Sequence, residues 1–319
     1  MKFCNKSIHY FKTPLFKFRI HFMNLQFGLF FALTLLFQTS LIAQPKVKYS
    51  PAWFGPNANP VPEFTGAIIP SKTQLSLMSD VYFGYGDLTV SGRFKIEVPL
   101  IPKYVAIKVW CTPYEYFKVT PALADNRDML KAEGVAIGDY YVQTRIRVMQ
   151  ESKRGVDMVI NTTLKTASGT GQPNKRYFNT AGYYFDFELG KSFDLGAASK
   201  TKMRLSTDLG FMSWDVSANT QDDALMYGAK VSFIGPRWES ATTLAGYWGW
   251  MHTHEKYGAD FGDVPLVIST KLIYTKNDYS IFAQYQYGIQ NFQYHQIRIG
   301  TKFSFQKLTP DFSKLSKSN

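Results

Sequence analysis

Cysteine is nearly missing from this sequence: Cys4 and Cys111 are the only two in 319 residues. With Cys4 in a removable leader, Cys111 stands alone and no disulfide framework can hold the chain together. No segment sustains apolar residues at the 3.6-residue spacing of a helix, which excludes a helical bundle. Acidic residues are missing from positions 1 to 43, where Lys2, Lys6, Lys12, Lys17 and Arg19 precede the apolar run "FGLFFALTLLF" from Phe27 to Phe37. That run is too short to cross a bilayer as a helix, which takes about 20 residues. Basic residues, a short apolar run and then "LIAQ" are the order of an export signal, cleaved between Ala43 and Gln44. Met23 is an alternative start that would lose the basic residues, and a retained anchor helix is the plainer alternative. Without the leader the chain carries 31 basic against 24 acidic residues. This modest excess is spread along the chain rather than gathered in a patch, which argues against nucleic acid as a partner.

What is present is alternation. In "DYSIFAQYQYGIQNFQYHQIRIGTKFSF", Tyr279, Ile281, Ala283, Tyr285, Tyr287 and Ile289 alternate with Ser280, Phe282, Gln284, Gln286, Gly288 and Gln290. Ile297, Ile299, Thr301, Phe303 and Phe305 then alternate with Gln296, Arg298, Gly300, Lys302 and Ser304. Successive side chains of a strand point to opposite faces, so each run has an apolar face and a polar one. About twelve such segments follow Thr73, which makes the chain all-β.

Three features select a membrane barrel over a soluble sandwich. The strands run about 10–13 residues, near the ~9–11 that cross a bilayer at a tilt and longer than the ~5–6 usual in soluble sheets. Tight connections ("PLIPK", "ESKRGV", "DLGAASK", "IGPRW", "TKND") interleave with long ones ("TPALADNRDMLKAEGVAIG", "SGTGQPNKRYFNTAG", "DVSANTQDDA", "HTHEKYGADFGDVP"). With a periplasmic amino terminus, these tight turns fall inside and the long loops outside, as in outer-membrane barrels. Aromatic residues also collect at strand ends, where amphipathic rings suit the membrane–water interface: Tyr82 and Phe83, Tyr140 and Tyr141, Tyr183 and Tyr184, Trp238, Tyr247 and Trp248. The expected fold is therefore a transmembrane antiparallel β-barrel of about 12 strands, placed in the bacterial outer membrane with the lipid bilayer as partner. Residues 1–43 form the signal peptide, 71–306 the barrel and 307–319 a polar tail. Residues 44–70 hold six of the fifteen prolines; proline removes ladder donors, so this segment is a strap, a plug or a linker.

At "DYYVQTRIRVMQ", "LKTASGTGQPNKRYFNTAGYYFDFELGKSF", "DDALMYGAKVSF" and "FGPNANPVPE" the chain resembles a family of exported outer-membrane β-barrel proteins of Gram-negative bacteria to which no function has been assigned. The resemblance runs from about Tyr49 to Phe305. It implies architecture and location, and no chemistry.

Parity places Arg93, Lys95, Lys108, Arg145, Arg147, Lys165, Lys202, Arg204, Lys230, Lys271, Arg298 and Lys302 on the lumen face, against Asp80, Glu97, Asp157, Asp186, Glu188 and Asp208. Six surplus positive charges between low-dielectric walls would favour small anionic or polar solutes. The expected function is passive passage through a narrow basic lumen. Its alternative is a filled barrel whose residues pair across strands and whose loops bind a partner; about eight strands fill with side chains while 16–18 leave a channel, and twelve lies between. A lipid hydrolase is the third reading. It needs a serine beside a histidine, and no serine lies two residues from His252, His254 or His295. Nor do His252 and His254 have a third metal ligand at diagnostic spacing, so no cofactor or metal is expected. "SGTGQPNKR" could cradle a phosphate through its backbone amides, but it lacks the strand–loop–helix setting of a P-loop.

Overall fold

The computed structural model describes residues 54–58, 61–178, 180–196, 200–215, 221–249, 263–292, 294–306 and 308. The expected leader, most of the carboxy-terminal tail, and His252 and His254 lie outside the described residues.

Twelve long antiparallel strands form one closed sheet: β1 (Thr73–Phe83), β2 (Asp87–Ile101), β3 (Val105–Val119), β5 (Tyr141–Met149), β6 (Asp157–Lys165), β7 (Gly182–Asp194), β8 (Lys202–Asp215), β9 (Gln221–Ile234), β10 (Trp238–Gly249), β11 (Leu266–Lys276), β12 (Tyr279–Gln290) and β13 (His295–Phe305). A four-residue strand, β4 (Glu133–Ala136), pairs only with the end of β3. Each long strand pairs with its sequence neighbour, and β1 pairs with β13 from Thr73↔Phe305 to Phe83↔His295, which closes the barrel.

The apolar face of each strand looks outward. Leu77, Ile146, Phe185, Leu209, Ile281, Ile297 and Ile299 are exposed, while their strand neighbours Ser76, Arg145, Asp186, Asp208, Ser280 and Arg298 are buried. This inverts a soluble protein and matches a barrel whose solvent is lipid. The aromatic doublets divide between the faces, because adjacent residues of a strand point opposite ways. Phe83, Tyr140, Tyr183 and Trp248 are exposed, whereas Tyr82, Tyr141, Tyr184 and Tyr247 are buried inside. Only one ring of each doublet can therefore serve a girdle. At the other end, Trp238 packs on Tyr274 and Tyr279 on Phe303.

The five tight connections lie at the end of the barrel that carries Thr73 and Phe305. The long connections lie at the other end, together with two short ones, residues 84–86 and 291–294, that flank the closing strands. The β3–β5 connection contains a short helix, α1 (Pro121–Asn126), capped by Thr120. One irregularity has consequences for the lumen. Between Gly92↔Tyr114 and Phe94↔Cys111 the β2–β3 register slips at Thr112 and Pro113, since proline has no amide to donate to the ladder. The slip flips parity: Ala106 and Lys108 are buried before it, and Glu115, Phe117 and Val119 after it.

Ile299→Lys should impair assembly, since a cation on the lipid face near the midplane costs ~2–4 kcal/mol, whereas Gln286→Ala on the other face should assemble normally. Heat-modifiable migration after refolding into vesicles reads both; the reverse pattern would mean the faces are misassigned.

Candidate functional site

The proline-rich segment runs inside the barrel. Its first described residues sit at the long-loop end, where the Tyr294 hydroxyl donates to the Phe54 carbonyl at 3.4 Å and the Gly55 amide to Lys175 at 2.8 Å. Its last residue, Pro70, accepts from the Lys103 amide in the tight β2–β3 turn. Between these points it is tied to inward side chains from around the wall. Thr65 and Ala67 donate their amides to Glu188 at 3.1 and 2.6 Å. Arg204 donates to the Gly66 carbonyl at 3.0 and 2.9 Å. Arg145 donates to the Ile68 carbonyl at 3.0 Å and to the Thr65 hydroxyl. Proline-rich backbone without a partner strand needs such donors and acceptors, because buried peptide groups must be satisfied.

Two apolar clusters surround the upper part of this segment. Phe54 and Ala58 pack with Tyr141, Phe178, Tyr184, Met212, Trp214, Ala224, Met226 and Tyr247. Val61 packs with Tyr82, Ala245, Val267, Phe292 and Tyr294. Beside them lies a buried ionic lattice. Arg176 reaches Glu115 at 2.7 Å and Asp87 at 2.9 Å, and Arg127 reaches Asp87 at 2.8 Å and Tyr294 at 2.7 Å. Asn57 and Tyr177 each donate to Glu115 at 2.7 Å. Burial and the adjacent Glu115 carboxylate hold the Tyr177 phenol well above its ordinary pKa, so it stays a donor. Gly55 lies against the Arg176 guanidinium with no room for a Cβ. Arg176 is thus turned to the barrel interior, where each of its three guanidinium nitrogens donates a hydrogen bond, to Glu115, Asp87 and Thr89.

Of the residues assigned to the lumen by parity, Lys202 is instead exposed at the start of β8, 3.3 Å from Asp194; the others fall into two groups. The first is buried, and most of its members are paired. Arg145 pairs with Glu97 at 2.5 Å and Glu188 at 3.4 Å, and Arg204 with Asp157 at 2.9 Å and Glu151 at 3.1 Å. Lys165 meets Asp139 at 2.7 Å, and Arg147 lies 3.9 Å from Asp157. Arg298 chelates Asp80. Asn161 bridges Asp186 and Glu188 at 2.5 and 3.1 Å. Asp208 is buried opposite Glu188 on the β7–β8 ladder, and Lys108 lies over the Trp110 ring at 5.0 Å. The second group keeps surface open to water. Lys95, Lys230, Lys271 and Lys302 are partly exposed, as are Ser269, Gln284 and Gln286 on the same wall. Among the described residues, Lys230, Lys271 and Lys302 have no carboxylate within 4 Å; Lys271 lies over the Phe282 ring at 3.9 Å. Arg93 and Lys95 both face Glu63 of the internal segment, at 3.0 and 3.8 Å. The segment thus bonds most heavily to the β5–β8 wall and reaches β2 and β13 through Glu63, leaving Lys230, Lys271 and Lys302 partly exposed on β9, β11 and β13.

Several lumen residues escaped parity. Glu115 was hidden by the slip at Pro113. Arg127, Asp139 and Arg176 come from connections that fold inward, and Glu63 from the internal segment; no strand periodicity could have flagged them. His295 bonds through Nδ1 to the Tyr285 hydroxyl at 2.7 Å and stacks on Phe83. Its hydrogen-bond partner is a phenol rather than a serine.

The fold is similar to that of solved structures. An outer-membrane channel from Pseudomonas putida F1 superposes with a TM-score of 0.52 at 11% identity, covering 77% of this chain and 100% of that one. The chain has the fold of a bacterial outer-membrane β-barrel. The NanC porin follows with a TM-score of 0.48 at 13% identity, covering 72% of this chain and 98% of that one. The KdgM porin has a TM-score of 0.43 at 10% identity, with 72% and 99% covered. No protein-family model matches the sequence, and no curated protein matches it.

Arg145→Met should leave Glu97 and Glu188 buried without their shared cation and lower stability by ~3–5 kcal/mol. Urea unfolding in micelles measures it. A loss below about 1 kcal/mol would show that water already screens this network.

Proposed function

We propose that the protein is an exported outer-membrane channel for small anionic or polar solutes, with an internal segment that holds the described arrangement closed. Residues 1–43 act as its cleaved leader, the tight turns face the periplasm and the long loops the exterior. The observation that carries this reading is the unpaired lysine wall. Lys230, Lys271 and Lys302 retain access to water, and no carboxylate lies within 4 Å of any of them among the described residues. A barrel built only to be filled would have paired or removed them, because uncompensated charge in a dry interior is costly. In a wet, confined passage the same charges raise the local concentration of anions. No chemical step is involved; selection rests on width, hydrogen-bonding side chains and the basic field.

The clusters around Phe54 and Val61 favour a second reading, in which the barrel stays filled and the long loops bind an external partner. The lipid-hydrolase reading has less support, since His295 is committed to Tyr285.

Planar-bilayer recording of the mature protein across a salt gradient separates these. Discrete steps with long closed intervals and a reversal potential on the anion side are expected. Lys230→Gln, Lys271→Gln and Lys302→Gln combined should move that potential toward zero while assembly is retained. Cation preference, or no change in the triple variant, would refute the lysine wall as selector. Stable insertion without any conductance would favour the filled barrel.

A further inference from the structure

From Phe54 to Pro70 the sequence carries one charged residue, Glu63. Three cations converge on it. Its Oε1 accepts from Arg298 at 2.6 Å and Arg93 at 3.0 Å, and its Oε2 lies 3.8 Å from Lys95. Among the described residues, Arg298 alone of the three has a second acid, Asp80. We propose that Arg93, Lys95 and Arg298 form a binding site for the carboxylate of a small solute, and that Glu63 occupies it as an internal substitute. This deepens the channel reading above and rests on it.

Two observations separate this from an ordinary structural ion pair. First, the Glu63 side chain keeps 42% of its surface open, whereas the Arg145, Glu188 and Arg176 side chains are all but closed off. A solute small enough to enter the lumen would therefore meet this carboxylate, whereas the closed-off groups are out of its reach. Second, the segment's other bonds on this stretch run largely through its backbone, by way of the Thr65 and Ala67 amides and the Gly66 and Ile68 carbonyls. Those bonds do not depend on Glu63. Its carboxylate can therefore leave the cradle and a solute carboxylate take its place without dismantling the rest. At the cradle one carboxylate replaces another, and Arg93 and Arg298 can each give it the N–H donor they now give Glu63.

The test is binding, read without a bilayer. Mature protein in detergent micelles is titrated calorimetrically with glutarate, and with its neutral diamide as control. Glu63→Gln empties the cradle of its internal carboxylate. This variant should bind glutarate at least tenfold more tightly than wild type and show no affinity for the diamide. Adding Arg93→Gln and Lys95→Gln should abolish the gain. Equal binding by wild type and Glu63→Gln, or binding that survives the loss of Arg93 and Lys95, would overturn the assignment. Should Glu63→Gln fail to migrate as a folded barrel, Glu63→Asp serves: its shorter reach weakens the internal competitor and should still raise glutarate affinity, and no rise overturns the proposal. A protein that binds as expected yet never conducts would sink the channel reading and leave this site standing.

Discussion

The pairing of β1 with β13 is the constraint on which the rest of the molecule depends. In hydrocarbon there is no water to receive a free amide or carbonyl, so a sheet can span a membrane only when its first and last strands join. Eleven consecutive residues of β1 find partners on β13, from Thr73 to Phe83. Closure then fixes every side chain by parity. One face must be apolar because it meets lipid, and the other must be reconciled with whatever charges it carries. Ile297 and Ile299 point to lipid from the strand that sends Arg298 inward, so a one-residue slip would exchange them and cost the barrel its place in the bilayer.

Inside, arginine and lysine divide the work. Arg145, Arg176, Arg204 and Arg298 are buried and multiply bonded, each joining two or more elements through the planar fork of its guanidinium. They satisfy the backbone of the internal segment and the acids around it. Lys230, Lys271 and Lys302 stand apart, partly exposed and with no carboxylate within 4 Å among the described residues. Lysine also enters the buried network, where Lys165 pairs with Asp139 at 2.7 Å and Lys108 lies over the Trp110 ring.

Much of this was legible in the sequence and some was not, for identifiable reasons. Alternation over Tyr279–Phe305 revealed strand faces because period two is a local property of the chain. The strand number and the tight turns followed from the same signal. The inward acid Glu115 did not, because a single proline reset the parity of β3 and nothing in the local pattern announces the reset. Arg127, Asp139 and Arg176 were invisible as lumen groups because they lie in connections, whose direction depends on what they pack against. Residues 44–70 read as a strap, a plug or a linker with nothing local to choose among them; that their described part runs inside the barrel follows from Arg145, Glu188 and Arg204, which are far away in sequence. The aromatic doublets misled in a simpler way, since each pair supplies the interface with one ring and the interior with the other.

The internal segment is held in two different ways along its length, and this sets what could move. Below Val61 it is bound by hydrogen bonds to charged side chains, each worth ~1.5–3 kcal/mol net and each replaceable by water or a polar solute. Above, Phe54 and Val61 are buried in aromatic clusters. Water cannot replace those contacts, and re-exposing the two side chains would cost ~1.5–3 kcal/mol each. The lower bonds exchange with what the lumen contains and the upper contacts do not. Solute identity would therefore be read at the polar lower half, while the apolar upper half sets how seldom the passage opens.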